Sequence, residues 1–353
     1  MDKSEQQSRF IKEETWRHFW HPVCTLEEFY SANSSGNGPL RVRLLGENLV
    51  VAKLNEKIAA FTDRCAHRST ALSRGVVEDG RLRCRYHGWA YDINGVCVDI
   101  PACRDLKIPG RAKIKKYDTH VKYDLVWVRL ESEADTQIPP CPGYDDEKFK
   151  AVIGKPYTWP TSAARRLENF VDLAHFPYVH PNTLFDPNIT DVTPPSMERI
   201  DGQLIFQFDP KSDEMPIPDV SLMGKTDYQI TMPFTVNLEF ELISKAGKGN
   251  RAILWMSASP IDEGHCRSFW FTCRDHDKDE PDYPHLAFQE RVLDEDIVVI
   301  EAQDPPQIPY DINEISVPTD MVSIQYRRWL REIEIAVDNN ALIKNLTSNE
   351  KCA

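Results

Sequence analysis

Two thiols and two imidazoles stand in one short block of this sequence. They are Cys65-Ala66-His67 and Cys84-Arg85-Tyr86-His87, with 16 residues between the two halves. Thiolate and imidazole are both metal ligands. Two of each suit a [2Fe–2S] centre in which Cys65 and Cys84 hold one iron while His67 and His87 hold the other. A single tetrahedral zinc could use the same donors, but zinc fingers group their cysteines and their histidines, and here the two types alternate. Ordinary buried cysteines are the third reading. The polar flanks Asp63-Arg64 and Arg68-Ser69, and Gly88 just after the second half, favour ligand-bearing loops.

A second stretch, Glu168-Asn169-Phe170-Val171-Asp172-Leu173-Ala174-His175-Phe176-Pro177-Tyr178-Val179-His180, carries another constellation. Asp172 and His175, three residues apart, would share a helix face. Pro177 would break the regular helix before His180 and let both imidazoles turn to one point. Two histidines and one carboxylate form the facial triad of a mononuclear Fe(II) that keeps positions open for O2. Histidines near a proline are more often simply packed, but a redox centre upstream changes the weighing. The carboxylate should come from far along the chain. In Arg291-Val292-Leu293-Asp294-Glu295-Asp296-Ile297-Val298-Val299-Ile300-Glu301, Asp296 lies beside the apolar stripe Leu293, Ile297 and Ile300. Asp294 and Glu301 are alternatives that spacing leaves open.

These side chains need a scaffold. At 353 residues the chain fits two domains. An apolar content of 41% supports real cores and excludes global disorder. A net charge of −13 argues against nucleic acid as a partner. The polar start, which has no leader-like segment, and the lack of any apolar run near ~18–20 residues predict a soluble, cytoplasmic protein with no membrane partner. The nine cysteines form no repeated framework, and Cys97 and Cys103 are expected to pack rather than ligate.

Residues 1–15 read as a polar tail, and His18 and His21, on an aromatic segment stopped by Pro22, as structural. From Leu40 to Leu130 short β-type runs alternate with turn residues, with hairpin turns expected at Asp79-Gly80 and Asn94-Gly95. The Pro-rich stretch from Ile138 to Gly143 marks a boundary. It separates an N-terminal all-β domain (16–140) from a second domain (141–340). In the second, strands are predicted at 203–208, 236–240, 253–256 and 268–272, and helices at 162–176, about 284–303 and about 319–336.

Taken together, the motifs resemble the Rieske-type non-haem iron oxygenases, terminal components that hydroxylate or demethylate small organic substrates. Asn169-x-x-Asp172-x-x-His175, followed by His180, matches their iron motif, and Glu295-Asp296-Ile297-Val298-Val299-Ile300-Glu301 resembles the segment bearing the third ligand, which points to Asp296. The segments 18–25, 181–187, 232–234 and 323–330 are most similar to bacterial methylxanthine N-demethylases. Arg85 departs from the proline common at that place, which is not a ligand position. The resemblance implies an α+β chain: an all-β Rieske domain, then a helix-plus-antiparallel-sheet catalytic domain of the helix-grip, START-like kind.

It also implies homotrimers or trimer-based hetero-oligomers in which one subunit's cluster faces the next subunit's iron. Asp172 would then act catalytically, bridging His175 to a cluster histidine; its alternative is a helix-face partnership with Arg165 or Arg166. O2 is the implied co-substrate. The implied reaction is oxidative N-demethylation of a methylated heterocycle with release of formaldehyde, against O-demethylation or hydroxylation of an aromatic or natural-product substrate. No Gly-x-Gly-x-x-Gly or four-cysteine ferredoxin spacing is present, so NAD(P)H can contribute only through a separate flavin- and Fe–S-bearing reductase. A non-catalytic electron carrier and a zinc-stabilised binding module are the readings from other classes. Leu184, Phe185, Asn237, Phe288, Gln289 and Leu293 flank the ligand segments and are candidates for a pocket that binds a small, flat, polar substrate.

Overall fold

The computed structural model describes residues 13–32, 35–105, 107–132, 136–181, 183–184, 187–188, 190–209, 222–244, 247–309, 314–338 and 350–352. Most of the 1–15 tail and Phe185 lie outside the described residues. The chain divides into two compact units, one of Arg17–Ile138 and the other of Pro139–Ala353 with Met1–Trp16.

The first unit is built from short antiparallel strands. A six-stranded sheet contains β1 (His21–Thr25), β2 (Leu40–Leu44), β3 (Glu47–Leu54), β4 (Lys57–Thr62), β9 (Lys116–Lys122) and β10 (Leu125–Arg129), in the order β1-β10-β9-β4-β3-β2. A four-stranded sheet runs β5 (Val76–Glu78), β6 (Arg81–Arg83), β7 (Ala90–Tyr91), β8 (Cys97–Asp99). One turn device recurs. Leu45-Gly46, Asn55-Glu56, Asp79-Gly80 and Tyr123-Asp124 all have positive φ at both residues, the backbone twist that a two-residue hairpin requires. The Asn94-Gly95 hairpin is looser. Asp92 Oδ1 accepts from the amides of Asn94 and Val96, each at 2.9 Å, and caps the loop between β7 and β8. Val50, Ala52, Leu54, Phe61, Leu72, Leu82 and Tyr91 form a core with Cys65, Cys84 and Cys97. Cys103 is exposed, contrary to expectation, because it sits in a surface 3₁₀ turn after Pro101.

The second unit has a nine-stranded antiparallel sheet. It comprises β11 (Lys150–Ile153), β12 (Tyr157–Trp159), β13 (Met197–Ile200), β14 (Gln203–Phe208), β15 (Leu222–Thr231), β16 (Thr235–Ser244), β17 (Gly247–Asp262), β18 (His265–Arg274) and β19 (Glu350–Cys352). The order is β11-β18-β17-β16-β15-β14-β13-β19, with β12 also on β18. Side chains alternate between faces. The register aligns Phe206, Tyr228 and Leu238 on one face and Gln229, Asn237, Trp255 and Phe271 on the other.

After α1 (Leu26–Ser31) in the first unit, the second unit supplies α2 (Ala163–Val171), α3 (Phe176–Val179), α4 (Tyr283–Ile300) and α5 (Met321–Asp338). Ser162 caps α2 by accepting from the Arg165 amide at 3.2 Å. Helix α2 packs on β17, β18 and α5, and α3 packs on α4. Arg165 bonds Glu314 at 2.6 Å and the carbonyl of Gln307 at 3.1 Å, while Arg327 joins Glu168 to Glu314, tying α2 and α5 together. Among the described residues no helix is long and apolar enough to cross a membrane.

Gly154 shows how tight the second core is. A Cβ there would lie 1.9 Å from the indole of Trp270, which is buried and donates to the Lys155 carbonyl at 2.9 Å. Gly154→Ala is expected to destabilise this unit by about 1–3 kcal/mol through overpacking. The check is thermal unfolding, and an unshifted midpoint would show that Trp270 yields at no cost.

Candidate functional site

The two halves of the cysteine–histidine motif occupy two loops, one between β4 and β5 and one between β6 and β7. Each loop is closed by its own backbone: the Ser69 amide donates to the Cys65 carbonyl and the Gly88 amide to the Cys84 carbonyl, both at 3.0 Å. Gly88 has φ +72, a conformation that side chains resist. The loops turn their thiols inward. Cys65 and Cys84 are buried, whereas His67 is half-buried and His87 exposed.

The two imidazoles lie 4.5 Å apart, centroid to centroid, and the His67 ring stacks on Trp89 at 4.6 Å with planes 2° apart. Tyr91 Oη is 3.1 Å from Cys65 Sγ and also accepts the Ala66 amide at 3.1 Å. Burial, then the neighbouring Cys65 thiol, pushes Cys84 and Tyr91 above their ordinary pKa values. The chemistry fits a [2Fe–2S] group. Two buried thiols converge under two outward imidazoles, and Nδ1 of His67 is a buried ring nitrogen with no hydrogen-bond partner among the described residues.

The second constellation is assembled from three elements. Helix α2 ends at Val171, and Asp172 is its cap, with extended backbone (φ −77, ψ 126). Asp172 and His175 therefore do not share a helix face. The chain turns at Asp172, whose Oδ1 accepts the Ala174 amide at 2.8 Å, because a short carboxylate competes well for backbone donors. Pro177 opens the short α3 rather than interrupting α2, in line with the preference of proline for a first helical turn. His175 and His180 flank α3, and α4 brings up Asp296.

The ligand atoms of His175, His180 and Asp296 lie within 4.8 Å of one another. Asp296 Oδ1 is 3.2 Å from Nε2 of His180 and 3.6 Å from Nε2 of His175. Nδ1 of His180 bonds Glu295 Oε2 at 2.9 Å. In the tautomer that donates its Nδ1–H to Glu295, His180 presents a bare Nε2 lone pair to a carboxylate oxygen. Two acceptors so placed call for a cation between them. The donor set of two imidazoles and a carboxylate suits Fe(II).

Nδ1 of His175 stands 3.5 Å from Asp172 Oδ2, an electrostatic contact without hydrogen-bond alignment. Burial disfavours a charged His175, but the carboxylates of Asp172 and Asp296 outweigh it and raise its pKa to about 9. Burial would likewise raise Asp296. Its contacts with His175 and His180, and the Arg166 guanidinium, instead hold it far below the usual carboxylate range. Asp294 and Glu301 are exposed. Arg165 and Arg166 are engaged with Glu168, Glu314, Asn169 and Asp296, so neither takes Asp172 as partner.

The pocket candidates separate. Gln289 and Leu293 lie seven and three residues before Asp296 on α4, which puts all three on one helix face. Leu293 is buried and Gln289 half-buried, while Phe288 lies off that face, 38% exposed. Leu184 is half-buried and its amide bonds the His180 carbonyl at 3.1 Å. Asn237 belongs to the sheet face opposite Tyr228, so the structure does not bring it to the ligands. The ligand side of the sheet meets α3 through Phe208 and Phe176, 6.4 Å apart.

Sequence reasoning missed two partners. Glu295, also bonded by Thr183 at 2.8 Å and Arg291 at 3.0 Å, orients His180. Arg166, fully buried, contacts Asp296. Glu295 was visible as the neighbour of a ligand. In the sequence Arg166 stands only as an alternative partner for Asp172, and nothing in the spacing points it at Asp296, since an arginine in the first turn of a helix is ordinarily solvated.

Residues 19–117 match the Rieske [2Fe-2S] domain and residues 159–335 the Vanillate O-demethylase oxygenase C-terminal domain. Methylxanthine N3-demethylase NdmB of Pseudomonas putida is 48% identical to this chain, covering 94% of each protein. Methylxanthine N1-demethylase NdmA of Pseudomonas putida is 45% identical over 91% of this chain and 90% of its own length. The solved structure of NdmA with caffeine, from Pseudomonas putida CBB5, aligns with a TM-score of 0.90 at 42% identity, covering 97% of this chain and 98% of that one.

Two substitutions separate the sites. His175→Ala is expected to lose about one iron per chain and all turnover while the visible spectrum of the cluster persists; full turnover would remove His175 from the ligand set. Glu295→Ala is expected to weaken iron binding about 10–100-fold through loss of the imidazole's anchor. Competition with a ferrous chelator measures it, and unchanged retention would make Glu295 a bystander.

Proposed function

Because the chain belongs to the Rieske-type non-haem iron oxygenases that carry a vanillate O-demethylase-type catalytic domain, we infer that it is a terminal oxygenase removing an N-methyl group from a methylated heterocycle of the methylxanthine class. The single observation that carries this reading is the convergence of Asp296 Oδ1 on the Nε2 atoms of His175 and His180. Near full-length similarity to two methylxanthine demethylases supports the substrate class.

When bound, the cluster held by Cys65, Cys84, His67 and His87 supplies single electrons, and the Fe(II) held by His175, His180 and Asp296 supplies O2 reduction beside the substrate. The overall change consumes O2, two electrons and two protons. One oxygen atom enters a methyl C–H bond and the other leaves as water. The resulting N-hydroxymethyl group breaks its C–N bond, giving formaldehyde and an N–H. The electrons originate in NAD(P)H and arrive through a separate flavin- and Fe–S-bearing reductase.

The chain's own residues orient and exclude. Glu295 fixes the ring of His180, and Asp172 biases that of His175. Phe176, Phe208 and the stacked pair Phe206–Tyr228, 4.5 Å apart, form an apolar wall that keeps water from the reacting methyl. Leu293 and Gln289 stand beside Asp296 on α4 and contact the heterocycle, Leu293 against its flat face and the Gln289 amide on a ring carbonyl or nitrogen. Trimeric assembly, homomeric or hetero-oligomeric, with Asp172 bridging to a neighbour's cluster histidine, belongs to the same proposal, as does a cytoplasmic location.

Iron and acid-labile sulfide on anaerobically purified protein should come to about three and about two per chain. With a reductase, caffeine or theobromine should release formaldehyde in step with O2 uptake. Two irons would leave an electron carrier, and hydroxylated product without formaldehyde would leave a hydroxylase. Gln289→Leu is expected to cost about 2–10-fold in kcat/KM, the worth of one neutral hydrogen bond. An unchanged value would remove Gln289 from recognition.

A further inference from the structure

We propose that Arg166 is a positioning residue for the iron site, its guanidinium holding Oδ2 of Asp296 so that Oδ1 is the single oxygen offered to the metal. The proposal rests on the assignment of His175, His180 and Asp296 as iron ligands.

The two carboxylate oxygens have different surroundings. Oδ1 faces both imidazoles, at 3.2 and 3.6 Å. Oδ2 is 3.3 Å from Nη1 of Arg166. A carboxylate can hold a metal through one oxygen or both, and the oxygen facing the imidazoles is the one the guanidinium leaves alone.

Arg166 is itself held in place. It is 0% exposed. Its guanidinium lies 4.1 Å over the Trp159 ring and 5.2 Å from that of Phe170, an arrangement the planar cation favours. Nη1 also donates to Oδ1 of Asn169, whose Nδ2 lies 3.5 Å from Asp296 Oδ1. Asn169 thus braces the arginine and the carboxylate together.

Stability gives no reason to keep such a group. Burying an ion pair costs about as much desolvation as its attraction returns, and an apolar pair of similar volume commonly does better. Nε and Nη2 of Arg166, moreover, are buried without a hydrogen-bond partner among the described residues, a further cost. A cation retained on those terms, on one oxygen of a metal-facing carboxylate, fits a role in setting what the metal receives. A second donor atom from Asp296 would fill one of the positions that O2 chemistry needs open.

Arg166→Met, unbranched, apolar and too short to reach Oδ2, tests the idea on the full-length protein with cluster and iron loaded. The readout is the electron paramagnetic resonance signal of the nitric oxide adduct of the ferrous site, which reports its coordination, with iron per chain measured on the same sample. The expected result is an intact cluster spectrum, about three irons per chain and a nitrosyl signal of altered rhombicity, with Arg166→Lys restoring the parent signal. Should Arg166→Met fail to fold, Arg166→Gln carries the test with the same expectation, since its shorter amide does not reach Oδ2. Parent and variant signals that coincide at equal iron content overturn the proposal alone. A parent protein with only two irons overturns the iron assignment and the proposal with it.

Discussion

A buried carboxylate must find partners for both of its oxygens, and Asp296 has a neighbour on each. One oxygen faces two imidazoles and the other a guanidinium, all inside a water-poor core. Those groups come from different places: Arg166 from the first turn of α2 and the two imidazoles from the start and end of α3, while Asp296 itself lies toward the end of α4. The packing of α2 on β17 and β18, and of α3 on α4, can be understood as what keeps these charges within reach of one another. If the helices parted by an ångström, a desolvated charge would be left without its partner, which costs several kcal/mol. The site and the helix packing therefore enforce each other.

The two metal centres reach rigidity by opposite routes. At the cluster, the ligands ride on loops that close on their own carbonyls and hang from short hairpins, so the geometry is local. At the iron, residues more than a hundred positions apart are brought together, and no short segment defines the site. Each proposed ligand is accordingly backed by a further side chain: Glu295 behind His180, Asp172 behind His175 and Arg166 behind Asp296. The cluster spends fewer such partners, with Tyr91 on Cys65 and Trp89 under His67 as the main ones.

This difference explains what the sequence disclosed. Cys65, His67, Cys84 and His87 could be read directly, because ligand spacing and loop residues sit within a few positions of one another. The strands at Gln203–Phe208 and His265–Arg274 and the helices on either side of residue 310 were legible from periodicity. Asp172 was placed on the wrong kind of backbone, because the cap at the end of α2 competes with helix continuation through a side-chain hydrogen bond that spacing does not reveal. Asn237 was drawn into the pocket by its amide, but the two-residue alternation of β16, which only pairing with β15 and β17 fixes, turns it away. The tie from Arg166 to Asp296 was invisible because its meaning lies in burial, and burial is a property of the folded chain.

Helix α4 carries the proposed ligand and the proposed substrate contacts on the same stripe. Asp296 is the proposed metal ligand, while Leu293 and Gln289, the proposed substrate contacts, stand one and two turns upstream on the same face. The backbone between them is a plain helix whose shape does not depend on those two side chains. On the proposed reading, changes at these upstream positions would alter which methylated ring is held without rebuilding the oxidative machinery. On that reading, the choice of ring and the chemistry done on it would be separable along a single helix.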